Sequence, residues 1–455
     1  MGNRRLRILL ISPKGEFLCK NPEFADFAAQ SREMRTILHF WNGIGVALPT
    51  IAALTPEEHS VSIIDENREE IDFDSSVDVV GITAMTQQAN RAYEIAREFR
   101  KRGRHVAIGG IHASVMSDEV EKHADTVFIG EAENSWPGFI NDFLQGCPRR
   151  VYDQKDFPAV DITASPLPRF DLLGKYKYPV VYVQTTRGCP HDCEFCVASN
   201  VYGKEYKHKD VAQVIAEIRE VKRHWKLAQV GFADDNMFVN KRFSQALVEA
   251  FKDLNFSWFA VCDISVATSE SFLADLHASG CRTLLIGLES VIEENVQSLN
   301  KDHWKSKRFG RYSEYIEKIQ SHGIGVYGSF ILGFDGDNEE TVEKTISFIS
   351  DHHLLGAQIT ILTPFPGSRL RDRLDREGRI LHNDWKWYTV WNAVIHHPKF
   401  TPQQLEHNLL TIYRAIYSED SNRRRSSYFR AICEKLVSSL FDDDDDNIDR
   451  DAPYE

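Results

Sequence analysis

Eight cysteines occur among the 455 residues, and three of them stand together. Cys189, Cys193 and Cys196 are set in a CxxxCxxC spacing within Thr185-Thr186-Arg187-Gly188-Cys189-Pro190-His191-Asp192-Cys193-Glu194-Phe195-Cys196, whereas Cys19, Cys147, Cys262, Cys281 and Cys433 are scattered singly. Three soft thiolates in one short loop can hold a metal centre, and the choice lies mainly between zinc and an iron-sulfur cluster. Structural zinc closes its tetrahedron with a fourth Cys or His, for which His191 is the candidate, although a short loop has difficulty turning it onto the same metal. A four-iron cluster on three cysteines leaves one iron open to a cosubstrate, which is what radical chemistry needs.

The elements that must position this loop form a repeating pattern. Val180 to Thr185 is an apolar strand feeding the cysteines, followed by a helix over about 211–225 and a strand over 229–235. The alternation continues as helix 241–254, strand 256–266, helix 269–279, strand 282–290, a helix near 311–322, strand 325–334, helix 338–352 and strand 358–362. Six strand-helix units suit a partial (β/α)6 TIM-type barrel, whose chemistry lies at the carboxyl ends of its strands. Polar residues collect there: Asp234 and Asp235, Glu289, and the run from Gly333 to Asp337.

Upstream, short apolar runs at 6–11, 61–65, 77–83, 105–110 and 126–130, with an amphipathic helix over 88–103, define a separate α/β domain. Parallel sheets of this kind bind ligands beyond the carboxyl ends of their strands. The boundaries expected are a Rossmann-like domain over 1–150 and a linker over 151–180 containing Pro158, Pro166, Pro168 and Pro179. The barrel follows over 181–370, a helical cap over 371–440 and an acidic disordered tail over 441–455. The cap is rich in Trp, Tyr and His, which suit either its own core or an apolar wall for a bulky substrate.

The cysteine loop, with Phe195 before its last cysteine, resembles that of the radical S-adenosylmethionine (SAM) enzymes. That resemblance implies a [4Fe-4S] cluster on Cys189, Cys193 and Cys196, its open iron chelating SAM and its electron generating a 5'-deoxyadenosyl radical. It further implies that Glu289 binds the ribose or methionyl amine of SAM and that Asp235 lies beside the methionyl end with Asp234 next to it. Helix capping is the alternative for these acids. Gly333 ends a strand similar to the one that packs against adenine. The first 150 residues resemble the cobalamin-binding domain fused to many such enzymes, through Thr83, Thr86, Gly109, Gly110, Gly130 and Glu131. Glycines at strand ends let a corrinoid approach the backbone and threonine hydroxyls can bond its amides. The DxHxxG motif that places a histidine below cobalt is missing, and Asp65 to Glu69 stands in the matching region.

Together these imply a methyltransferase acting on an unactivated carbon of an apolar metabolite such as a hopanoid, a tetrapyrrole or a natural product, consuming two SAM per turnover. An oxidative cyclase or rearrangement enzyme is the alternative, and a zinc-stabilised, non-enzymatic ligand sensor the rival from another class. An electron donor such as flavodoxin or ferredoxin is the expected partner. A net charge of −13 argues against nucleic acid. No run approaches the ~20 apolar residues of a membrane span, and only Asn422-Arg423-Arg424-Arg425 suggests peripheral contact with anionic lipid. Unpaired cysteines and a reducible cluster fit the cytoplasm.

Overall fold

The computed structural model describes residues 4–15, 19–41, 45–198, 203–299 and 303–445. In the first sheet, β1 (Arg7–Ser12), β2 (Ser60–Asp65), β3 (Val79–Thr83), β4 (His105–Gly109), β5 (Thr126–Ile129) and β6 (Val151–Asp153) are all parallel, in the order β2-β1-β3-β4-β5-β6. Chain direction across the sheet reverses between β1 and β3, which opens a crevice at their carboxyl ends. The strands are near-continuous apolar runs because both faces are covered. Leu9, Val80 and Ile82 pack under the helix Ala89–Lys101, while Leu10, Val79 and Phe128 belong to a core continuous with that of the second sheet. The sequence placed Val151–Asp153 in the linker, but it is the sixth strand, with Val151 opposite Val127 and Asp153 opposite Ile129.

The second sheet takes its strands in sequence order: β7 (Val180–Val183), β10 (Gln229–Phe232), β11 (Trp258–Cys262), β12 (Cys281–Glu289), β13 (Gly325–Leu332) and β14 (Gly356–Ile361). Helices Val211–His224, Lys241–Phe251, Glu270–Ala278, Tyr312–Ser321 and Thr341–Asp351 cross between them. Every pairing is parallel, the arrangement of the expected six-unit open barrel. Between β7 and β10 a two-residue ribbon, β8 (Thr186–Arg187) against β9 (Lys207–His208), leads into the cysteine loop. Gly188 follows at φ +84°, and a Cβ there would stand 2.1 Å from the Glu205 carbonyl oxygen, so only glycine turns the chain this closely.

Aromatic residues of the cap are mostly core. Trp385, Tyr388, Trp391 and Tyr413 are buried. Helix Pro402–Ile416 lies against the free edge of β14, where the Tyr413 hydroxyl accepts from Ile359 N (3.0 Å) and donates to Ile359 O (2.9 Å). One turn on, the Tyr417 hydroxyl does the same for Ala357 N (3.2 Å) and O (2.9 Å). Ile361 N donates to Val390 O, completing the alternate residues of that edge. The final helix, Glu419–Asp445, turns Arg425 inward onto Ile416 O (2.7 Å) and the Tyr417 ring, while Arg423 and Arg424 of the same basic run are exposed. The acidic run expected to begin a disordered tail continues this helix through Asp445, and the tail from 446 lies outside the described residues.

Candidate active site

The cysteine loop enters the barrel from β7 and is anchored by Asp234 at the end of β10. Asp234 is buried and accepts four hydrogen bonds, from the amides and hydroxyls of Thr185 and Thr186 at 2.5–2.9 Å. Burial pushes its carboxyl up to about 6 against the pull of those donors. It does not line the cavity above the cysteines, and it anchors the loop instead of capping a helix. On the far side of the loop, Leu370 N donates to Glu194 O, Arg373 pairs with Glu194 at 2.8 Å and Arg369 donates to Asp192 O.

Cys189, Cys193 and Cys196 line one cavity of about 330 Å³ at the carboxyl ends of the barrel strands, together with Phe195, Asp235 and Glu289. Burial pushes each thiol up to about 11, so metal entry must displace a proton from each. Among the described residues no three His, Cys, Asp or Glu side chains converge on one ion. A multi-iron cluster needs no such point, since each thiolate binds its own iron. His191 lines the same cavity, but its ring is engaged 3.4 Å from Asp263 Oδ2 and packed on the Trp304 ring.

Asp235 faces the cavity with its carboxyl raised to about 6, by burial first and by Asp234 second. Glu289 reaches it through a local distortion: the β12–β13 register shifts between Gly287 and Glu289, and Glu289 takes φ +66°. Its carboxylate pairs with buried Lys305, which also donates to Gly287 O at 2.9 Å. Lys305 was not identified from the sequence, since a lone lysine between helices has no pattern to mark it. Asn236, Ser329, Gln358 and Thr360 at the strand ends also line the cavity and were not singled out. Gly333 does not. It turns at φ +100° and donates its amide to Asp337. The cap contributes Val390, a β-branched residue held at φ +65°, a conformation that costs energy wherever it is not imposed by its surroundings.

A second cavity, about 440 Å³, opens at the β1/β3 crevice. Thr83, Gly109, Gly110, Gly130 and Glu131 line it, as do Gln184 and Arg187 from the barrel side. At Gly110, φ +94°, a Cβ would meet Thr83 Oγ1 at 2.7 Å and Ala84 N at 2.9 Å, so only glycine lets this turn pack so closely on the end of β3. Thr86 instead faces His112 Nδ1 at 3.4 Å. His112 is enclosed by Tyr93 (3.0 Å) and Trp385 and is outside the cavity, whose described lining contains no histidine. The Asp65–Glu69 region lies at the edge strand β2, where Asp65 receives the Tyr178 hydroxyl and Glu69 pairs with Lys175. A glycine-floored crevice with polar rims and no competing imidazole fits a corrinoid, and three thiols on one cavity fit the cluster.

The radical SAM superfamily model matches residues 183–349 and the B12-binding domain model residues 36–140. The bacteriochlorophyllide d C-8(2)-methyltransferase of Chlorobaculum tepidum is 31% identical over 87% of this chain and 90% of its own length. The hopanoid C-2 methylase of Rhodopseudomonas palustris is 29% identical over 84% and 72%. Among solved structures, the radical SAM methyltransferase TsrM of Kitasatospora setae, with cobalamin and a [4Fe-4S] cluster bound, superposes with a TM-score of 0.64 at 15% identity, over 82% of this chain and 75% of that one. This chain belongs to the cobalamin-dependent radical SAM methyltransferases. Its cofactors are a [4Fe-4S] cluster, SAM and cobalamin.

Proposed function

We propose that the protein methylates an unactivated carbon of an apolar, ring-bearing metabolite, with Cys189, Cys193 and Cys196 holding the cluster and the crevice of the first domain holding the corrinoid. The observation that carries this reading is the adjacency of the two cavities: Arg187 lines one and Cys189, two residues on, lines the other. When bound, the cluster and SAM supply the hydrogen-abstracting radical and the corrinoid supplies the methyl group. The chain's own residues then do the positioning. Asp235 faces the methionyl ammonium, the Glu289–Lys305 pair presents one anionic and one cationic group to the ribose and carboxylate, and Phe195 shields the loop from water. The wall has an apolar part in Leu285, Ile331, Leu362, Phe365 and Val390, and Asn236, Ser329, Gln358, Thr360 and Thr363 add polar groups to it.

The substrates named for these relatives, a bacteriochlorophyllide and a hopanoid, support an apolar substrate class, and a flavodoxin- or ferredoxin-type donor is the electron source this chemistry requires. A magnesium-protoporphyrin IX monomethyl ester cyclase of Rubrivivax gelatinosus is also a relative, at 25% identity, so cyclisation is the outcome to separate. Anaerobic incubation of the reconstituted enzyme with methyl-labelled SAM and a panel of chlorophyllides and hopanoids tests the reading. Label should enter the product, with S-adenosylhomocysteine and 5'-deoxyadenosine released in step. Product formed without label would overturn methylation.

A further inference from the structure

Between the two cavities lies an ion-pair group centred on Arg187, a residue to which neither cofactor assignment gives a role. Arg187 is buried. One guanidinium nitrogen pairs with Glu131 at 2.7 Å, the second with Glu133 at 2.5 Å, and Nε donates to Gln184 at 2.8 Å. Lys207, paired with Arg187 across the β8–β9 ribbon, lies 3.7 Å from the other Glu131 oxygen, so two carboxylates face two cations. The acids belong to the Gly130–Glu133 turn beyond β5, on the first domain. The arginine stands two residues ahead of Cys189, and the intervening Gly188 is fixed against Glu205.

A planar guanidinium with both ends and its Nε engaged fixes direction as well as distance, which a lysine cannot do. Buried pairs of this kind contribute little net stability, because desolvation offsets attraction, and their best-attested use is to set register. We propose that Arg187 is a positioning residue: its fork to Glu131 and Glu133 sets the separation and orientation of the corrinoid turn relative to the cluster loop. The proposal rests on the assignment of the two cavities to those cofactors. Glu131 then acts through the bridge instead of through a hydrogen bond to the corrinoid, which revises the role its sequence context suggested.

The test uses holoenzyme reconstituted with iron, sulfide and hydroxocobalamin, in three forms: wild type, Arg187→Lys, and the charge-free combination Arg187→Met, Glu131→Gln, Glu133→Gln, Lys207→Met, which removes all four charges of the group together. The readout is magnetic coupling between cobalt(II) and the reduced cluster in pulsed electron paramagnetic resonance, alongside iron and corrinoid content. Both variants should retain the two cofactors and cleave SAM to 5'-deoxyadenosine, yet show weakened and broadened coupling. The initial rate of S-adenosylhomocysteine formation should fall roughly tenfold or more, the scale of an ångström-sized misplacement. Coupling unchanged from wild type in both variants would overturn the proposal. A wild-type protein that takes up no corrinoid would instead refute the cavity assignment on which it rests.

Discussion

Asp234 and Asp235 are adjacent acids with separate tasks, and their replacements should fail differently. Asparagine at 234 can place its oxygen where Oδ1 accepts three bonds, but its NH2 then replaces Oδ2 at the Thr185 hydroxyl and the charge that strengthens all four bonds is lost. We expect Asp234→Asn to lose about 2 to 3 kcal/mol of stability and to retain iron poorly, measurable by denaturant titration and iron analysis. Asp235→Asn should keep its iron and lose SAM affinity, measured by calorimetry. It should also flatten a pH dependence. The Asp235 carboxyl is raised from 3.8 to about 6 in the folded protein. The folded state therefore binds more protons than the unfolded state between those values, and stability in the iron-free protein falls as pH rises through about 6. The contribution is small, because the Asp235 side chain is exposed to water on the cavity side, and a wild-type curve as flat as the variant's would contradict it. Cys189→Ala, Cys193→Ala or Cys196→Ala should each abolish the cluster and SAM cleavage, whereas Cys281→Ala, buried at the start of β12, should leave iron content unchanged. That Cys189, Cys193 and Cys196 share one cavity was legible because soft donors at fixed spacing have few other readings. Lys305 was not, because its function comes from a tertiary encounter with Glu289.

Elements were legible where hydrophobic period and length agreed. All six barrel strands and their helices fall where the apolar runs placed them, to within a few residues. β6 escaped because Val151-Tyr152-Asp153 is three residues long with one buried side chain, too short for a period. The helices Pro22–Gln30, Arg32–Trp41 and Ala47–Ala53 escaped because their packing is completed by distant partners, as in Phe24 stacked on Tyr413. The edge of β14 gives the prediction at this scale. Tyr413→Phe leaves a buried amide and carbonyl of Ile359 unpaired, and Tyr417→Phe does the same at Ala357. Each should cost about 1 to 3 kcal/mol in a denaturant titration. Hydrogen exchange should accelerate at the Ile359 and Ala357 amides respectively. No change at those amides would show that the hydroxyls are not their partners.

Across the molecule, the chain's two ends are interlocked. Lys20 N donates to Asn392, Glu23 pairs with Arg414 and Asn422 donates to Glu33, so the segment over 19–41 packs on the cap as well as on its own sheet. Truncation after residue 401 should therefore expose the 22–38 helices to proteolysis and lower the thermal midpoint of the whole protein. A shortened protein whose N-terminal domain resists protease as before would count against that coupling. None of this was readable from composition, which separates domains by local pattern and is silent on which distant surfaces meet.

The sealed edge of β14 has one more consequence. Open sheets present a row of free amides and carbonyls on which another chain can add a strand, and proteins usually guard such edges with lysines, prolines or bulges. Here tyrosine hydroxyls and the Val390 carbonyl occupy the alternate positions directly. Edge-to-edge growth into larger sheets or fibres is closed at this border by satisfaction instead of repulsion, so the barrel can remain incomplete, open on its chemical side, without inviting a second molecule to finish it.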